Sequence, residues 1–327
     1  MHTQLANIIP NFSGKRIVII GDLILDEYLL GNATRMSREA PIPVLEFESR
    51  RLIPGGAANP ATNIVSMGGV ASQIGVIGDD EAGRNLSEIL QKNQIDTSGV
   101  IIDPSRPTTS KMRVMAQMGL RFPQQVARMD TLSREDIDNH TEKQLYEKVN
   151  AQLTSVDAIL FSDYHAGLLT ESLIGAIRES AKNNILTADA QGSLEKYAGF
   201  TLVKCNADDA QEYLRKPLHN DSEFATAAQI LRERLKLTGA MVITRGADGA
   251  TVATIEETYH CPAPAVSDVY DTVGAGDTAI AVLTLAIISG ANYQDAAILA
   301  NTASGLVVRR VGNYAPTQQE LLNALKA

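Results

Sequence analysis

The chain has 327 residues, 44% hydrophobic and 5% aromatic with no Trp, enough for one large α/β domain or two modest ones around an aliphatic core. A formal net charge of −9 argues against nucleic-acid binding, which rests on neutralised phosphates, but leaves room for a small anion held by local donors. Cys205 and Cys261 stand apart, with no CxxC and no His at ligand spacing, and read as free buried thiols in a reducing compartment.

The start MHTQLANIIPNFSGKR lacks the signal-peptide pattern, and the apolar window AIAVLTLAII (279–288) is too short for a membrane span. A cytoplasmic protein with no membrane or nucleic-acid partner is expected. RIVIIGD (16–22) predicts a buried strand that delivers an acid at its C-terminal edge. The same form recurs at 71–80, 157–164, 185–192, 200–206 and 240–246. Helical patterns lie between most of these runs, among them AANPATNIVSMGG, AGRNLSEILQKN, LTESLIGAIRESAKNN and EFATAAQILRERLKL. The alternation predicts a doubly wound α/β fold, a mostly parallel sheet with helices on both faces. Ligands in such sheets sit beyond the C-terminal strand ends, which here carry Asp22, Asp163, Asp189, Asn206 and Arg245.

Two stretches, 40–53 and about 99–130, break the pattern with β-rich alternation and many turn residues. They predict a small β-sheet lid inserted in a single domain over 1–327. A sheet this small buries little by itself, so it should cover the ligand face, a second subunit, or both.

DTVGAGDTAIAVL (271–283) sets small residues directly before an apolar helix. Gly274, Ala275 and Gly276 let backbone N–H groups approach a ligand, and the helix N-terminus adds free donors and partial positive charge. Together they make an anion site. Asp277 has a plain reading as an N-cap or first-turn acid. Beside an anion hole it can also take a proton from an attacking hydroxyl while the amides hold charge on a phosphoryl group. No Walker motif competes: NFSGKR (11–16) lacks the leading Gly and the final Ser or Thr. No GxGxxG follows the first strand either, which disfavours a Rossmann-type dehydrogenase.

DTVGAGD resembles the C-terminal signature of the ribokinase-like (PfkB) sugar kinases, and PGGAANPATNIVSMGG (54–69) resembles their N-terminal one. GD at 21–22, GDDEAG (78–83), TRGADG (244–249) and ANTASGLVV (300–308) follow in the family's order, so the resemblance spans nearly the whole chain. It implies a ribokinase-like fold and an ATP-dependent carbohydrate kinase that uses Mg²⁺ and forms a homodimer through lid sheets. Some relatives also place a monovalent cation near the residue matching Asp271.

By the same resemblance Asp277 would be the catalytic base, with Gly274, Ala275 and Gly276 as the anion hole. Asp22, Asp26, Gly55, Gly56 and Asn59 would hold sugar hydroxyls, with Asp163 in the same pocket. Thr244, Gly246 and Gly249 would line the nucleotide, Asn301 the adenine, and Asn206 the phosphates. NADD (206–209) stands where the family has N-x-x-E, which makes Asp209 the metal candidate, its contact needing a water or a small shift because Asp is shorter than Glu.

Within the family, GDLILDEYLLGNATRMSREAPIPVLEFES, QQVARMD and SDY look most like the branch that phosphorylates heptose 7-phosphate at its anomeric hydroxyl for lipopolysaccharide synthesis. Two departures bear on the acceptor. That branch carries Lys in D-Y-x-K-G and D-P-K-G, where this chain has Ala166 in DYHAG and Gln191 in ADAQG. Charge-assisted bonds are about twice as strong as neutral ones. Either Lys111, Arg113 or Lys204 holds a substrate phosphate instead, or the acceptor is an unphosphorylated sugar or nucleoside. A catalytically silent sugar- or nucleotide-binding protein is the remaining alternative. Plain readings also stand for a turn acid at Asp22, a simple turn at Gly55–Gly56, a helix cap at Asn206 with a solvated Asp209, and a structural His165. Lys111 and Arg113 alternate on a predicted strand, so they share one face, either the lid's inner side or solvent.

Overall fold

A computed structural model describes residues 2–119, 123–266, 269 and 271–326. Helix α1 (His2–Ile8) leads into β1 (Arg16–Gly21), and a long hairpin follows, β2 (Leu23–Met36) and β3 (Pro43–Gly56). Next come α2 (Ala58–Ser66), β4 (Val70–Ile77), α3 (Glu81–Lys92), β5 (Asp96–Ile102), β6 (Thr109–Gln117) and β7 (Gln124–Thr131). The second half runs through α4 (Asn139–Asn150), β8 (Ala158–Ser162), α5 (Glu171–Ser180), β9 (Ile185–Asp189) and β10 (Leu202–Asn206). It continues with α6 (Ala207–Leu214), α7 (Asp221–Arg234), β11 (Ala240–Thr244), β12 (Ala250–Ala253) and β13 (Thr258–Cys261). Helices α8 (Ala275–Ile288), α9 (Tyr293–Val307) and α10 (Gln318–Ala324) close the chain.

Nine strands form one sheet in the order β13-β12-β11-β10-β9-β8-β1-β4-β5, antiparallel only where β12 and β13 join. Every residue of β8 is buried, as is β1 after Arg16, because helices cover both faces and leave no polar side. Successive residues of β1 feed opposite cores. Ile17 and Ile19 pack with the buried faces of α2, α8 and α9, whereas Val18 and Ile20 pack with α5 and α7. Helix α8 is apolar all round and buried from Asp277 to Ala286, as a helix inside a large core must be. Each fully buried Leu or Ile there, such as Leu283, contributes about 2 kcal/mol by leaving water. Among the described residues no helix is long and apolar enough to cross a membrane.

A second sheet runs β3-β2-β6-β7, with β2 and β6 parallel and the outer pairs antiparallel. The lid is therefore larger and differently bounded than its sequence suggests. It takes in β2, whose first six residues are all buried and so show no alternation. Residues 99–102 belong instead to β5 at the edge of the main sheet. Residues 120–122 of the expected span lie outside the described residues. Asp22 alone separates β1 from β2, so the lid grows directly out of a core strand above the ligand face.

Candidate active site

The loop before α8 ends in Gly274, whose φ of 83° is left-handed. A Cβ there would stand 2.8 Å from both Asn313 Oδ1 and Asn59 Nδ2, so conformation and space both require glycine. Asp277 lies in the first turn of α8 but does not cap its own helix. Its Oδ2 accepts from Asn59 Nδ2 (2.7 Å) and its Oδ1 from Tyr164 Oη (2.5 Å). The residue is 5% exposed. Burial and the nearby Asp189 charge push its carboxyl up to about 7, against the Tyr164 and Asn59 donors that favour the ionised form. A carboxylate so tuned exchanges protons near neutrality, as a general base should.

A ring of polar contacts extends from this acid to the lid. Lys111 Nζ sits 5.4 Å from the centre of the Tyr164 ring. Lys111 pairs in register with Asp26 across β2 and β6, and Asp26 Oδ1 accepts from Arg113 (2.6 Å). Asn313 Nδ2 donates to Asp26 Oδ2 (2.9 Å) and to the Pro54 carbonyl (3.0 Å), which brings the ring back to Gly274. Gly55 closes it, because a Cβ there would overlap Asp26 Oδ2. Among the described residues the buried Asn313 Oδ1 has no hydrogen-bond partner, and it faces Gly274. Lys111 and Arg113 thus lie on the inner side of the lid.

A second buried pair stands behind the glycine loop. Lys204 Nζ is 2.6 Å from Asp189 Oδ1, and a Cβ on Gly276 would be 3.3 Å from that ammonium. The strand ends of β9 and β10 therefore deliver one cation to the anion hole and one acid within reach of Asp277.

On the other side of the loop opens a cleft of about 540 Å³. Thr244, Gly246, Gly249 and Asn301 all line it, together with Ala275 and Gly276 of the anion hole. Its walls are mainly small and apolar, among them Ala263, Pro264, Val266 and Val308, suited to a flat base. Asn301 shapes the wall, its Nδ2 donating to the Cys261 carbonyl (2.8 Å).

Several expected ligand groups also make contacts within the scaffold. Asp22 accepts from the amides of Tyr164 (2.8 Å), Ala166 (3.2 Å) and Leu168 (3.4 Å), tying down the loop after β8. Asp163 turns away from the ring and accepts from Tyr197 Oη (2.6 Å), Lys196 Nζ (3.3 Å) and the His165 amide (3.0 Å). Gly56, at φ 54°, packs against the Asp22 carbonyl. Asn206 and Asp209 form a capping box at the start of α6, and Asp209 Oδ1 also accepts from the Gly192 amide (3.2 Å). Asp271 accepts from the amides of Val273 (3.0 Å) and Gly312 (2.9 Å). His165, left-handed at φ 56°, sets its ring against Gly192, so the two segments that lack lysine touch each other. Sequence reasoning missed Tyr164 and Asn313. Tyr164 stood inside a quoted motif, while nothing local marks Asn313.

The pattern of the pfkB family carbohydrate kinases matches residues 15–320. The chain belongs to that family. As a pfkB kinase it is an ATP-dependent enzyme acting on a carbohydrate. It is 36% identical over 326 residues to the "Bifunctional protein HldE" of Caulobacter sp. (strain K31), covering 98% of this chain and 65% of that protein. The chain thus spans 65% of the length of these curated relatives, less than two thirds. Its fold is similar to that of Arabidopsis thaliana ribokinase complexed with ribose and ATP, with TM-score 0.73, 16% identity and coverage of 96% and 99%. It is also similar to phosphofructokinase-2 from Escherichia coli in complex with potassium, with TM-score 0.77, 17% identity and coverage of 96% and 98%.

Proposed function

We propose that this pfkB kinase transfers the terminal phosphoryl group of ATP to the anomeric hydroxyl of a heptose 7-phosphate. The observation that carries phosphoryl transfer is the place of Asp277, where the polar ring under the lid meets the glycine loop and the cleft beyond it. An acceptor hydroxyl entering the ring gives its proton to Asp277 while its oxygen bonds the terminal phosphorus and the bond to the ADP oxygen breaks. Amides at the start of α8 and the Lys204 ammonium offset the developing charge. Thr244, Gly246, Gly249 and Asn301 hold the nucleoside, and Asn59 and Asp26 orient the sugar.

Magnesium would neutralise charge on the nucleotide's phosphates. Among the described residues no three His, Cys, Asp or Glu side chains form a metal cage, which suits an ion that keeps its waters and rides on phosphates. Asp209 would reach it through water, both its oxygens already accepting amide hydrogens. A monovalent cation would sit where Asp271 joins the loop before α8 to Gly312.

The acceptor's phosphate falls to Lys111. Arg113 and Lys204 are already paired with Asp26 and Asp189, whereas Lys111 forms no ion pair among the described residues. Burial holds its ammonium below the ordinary lysine range, and an incoming phosphate would offset that cost. One observation favours an unphosphorylated sugar instead: Ala166 and Gln191 bring no cation to the place where their segments meet. Rates on heptose 7-phosphate and free heptose decide between the two.

A homodimer through the lids fits the outer positions of β3 and β7 in the lid sheet and the exposure of Phe47 and Met129. Light scattering on the purified chain tests it. A cytoplasmic location accords with ATP as donor.

A further inference from the structure

We propose that Tyr164 is a positioning residue whose hydroxyl holds the acceptor's place on Asp277 and keeps water from that carboxylate until a sugar enters. The proposal rests on the reading of Asp277 as the base. Tyr164 Oη donates to Oδ1 at 2.5 Å while Asn59 occupies Oδ2, so the oxygen next to the ring of polar groups already carries an O–H donor. A sugar hydroxyl would have to come to about the same place and distance to be deprotonated. The phenol is thus a stand-in for the substrate made from the chain itself.

The stand-in can step aside without disturbing the fold. Its backbone is pinned, because its amide donates to Asp22 and the amides of Ala166 and Leu168 do the same. Its ring is only half-buried and lies against the Lys111 ammonium, a lid group, rather than inside the apolar core. Rotation about the side-chain bonds frees Oδ1, and a sugar that engages Lys111 shifts the cation that covers the ring. Burial and the Asp277 charge push the phenol well above its ordinary pKa, so it holds its proton instead of passing it to Asp277.

Without the phenol, water would take its place. A water oxygen would bond to the terminal phosphorus, the bond from that phosphorus to the ADP oxygen would break, and the water proton would pass to Asp277. ATP would be lost with no sugar phosphorylated.

The test is Tyr164→Phe, which keeps the ring and its contact with Lys111. ATP hydrolysis without sugar and phosphorylation of the best acceptor are measured across pH. The proposal expects the ratio of hydrolysis to phosphorylation to rise roughly tenfold. The acid limb of kcat/KM should move up by about one pH unit, since a donor to the ionised form is gone. The other charged groups are unchanged by this substitution: Asp189 and Lys204, which face Asp277, and Lys111 and Asp26, which face Tyr164. An unchanged ratio and limb, with wild-type phosphorylation still abolished by Asp277→Asn, overturns the proposal alone. ATP turnover indifferent to Asp277→Asn overturns it together with the reading of the base. Should Tyr164→Phe fail to fold, 3-fluorotyrosine at 164, a stronger donor, must move the acid limb downward, and an unmoved limb counts against the proposal.

Discussion

Asn59 Nδ2 donates to Asp277 Oδ2 at 2.7 Å across 218 residues of chain, so the two glycine-rich signatures meet on one carboxylate. The contact continues one turn deeper, where Thr278 Oγ1 donates to Asn63 Oδ1 at 2.8 Å. Helices α2 and α8 are thereby locked together where the acid is held. Removing the donor in Asn59→Ala should raise the Asp277 pKa, because the bond favours the ionised form. The acid limb of kcat/KM should then move to higher pH, with a rate loss of roughly tenfold at neutrality. Initial rates across pH give both values.

The same acid costs stability. The folded protein binds its proton more tightly than the unfolded chain, from an ordinary 3.8 up to about 7. Stability therefore falls as pH rises through that window, by on the order of 4 kcal/mol at most, and the penalty is absent below it. Asp277→Asn should melt above wild type at pH 8, and the gap should shrink toward pH 4. Thermal melts at the two pH values check the sign.

Lys204 and Asp189 form a buried ion pair behind the glycine loop. Both are buried, so Lys204→Met leaves a carboxylate unpaired, which costs about 3–5 kcal/mol. Adding Asp189→Asn should restore most of the stability but not phosphoryl transfer, since the cation beside Gly276 stays lost. Denaturant midpoints and rates on the double variant separate the two roles.

Lys111 decides the acceptor. Lys111→Met should raise KM for a phosphorylated sugar at least roughly tenfold, as expected for loss of a charge-assisted bond, with kcat nearly unchanged. KM for the unphosphorylated sugar should barely move. A parallel loss on both sugars would mean that Lys111 supports Tyr164 rather than a phosphate.

The main sheet could be read from the sequence because its central strands are buried on both faces and end near polar groups, as RIVIIGD does at Asp22. The glycine loop was equally open, since Gly274 takes a left-handed φ that favours glycine. The lid was misjudged where Leu23–Tyr28 is buried throughout and hides its alternation. The acids at strand ends were harder, because type and position do not say which way a carboxylate turns. Asp22 and Asp163 bond to the loop after β8 and its neighbours, while Asp26 joins the ring under the lid. Asn313 depends wholly on long-range packing between the last loop and Asp26, which no local pattern records.

The most direct measurement is ADP release from Mg-ATP over heptose 7-phosphate, fructose 6-phosphate, ribose and free heptose, for wild type and Asp277→Asn. Wild type should turn over heptose 7-phosphate fastest, and the variant should lose roughly 10²–10⁴-fold while still binding nucleotide. A variant as fast as wild type, or nucleotide binding without turnover on any sugar, would contradict Asp277 as the base of a sugar kinase.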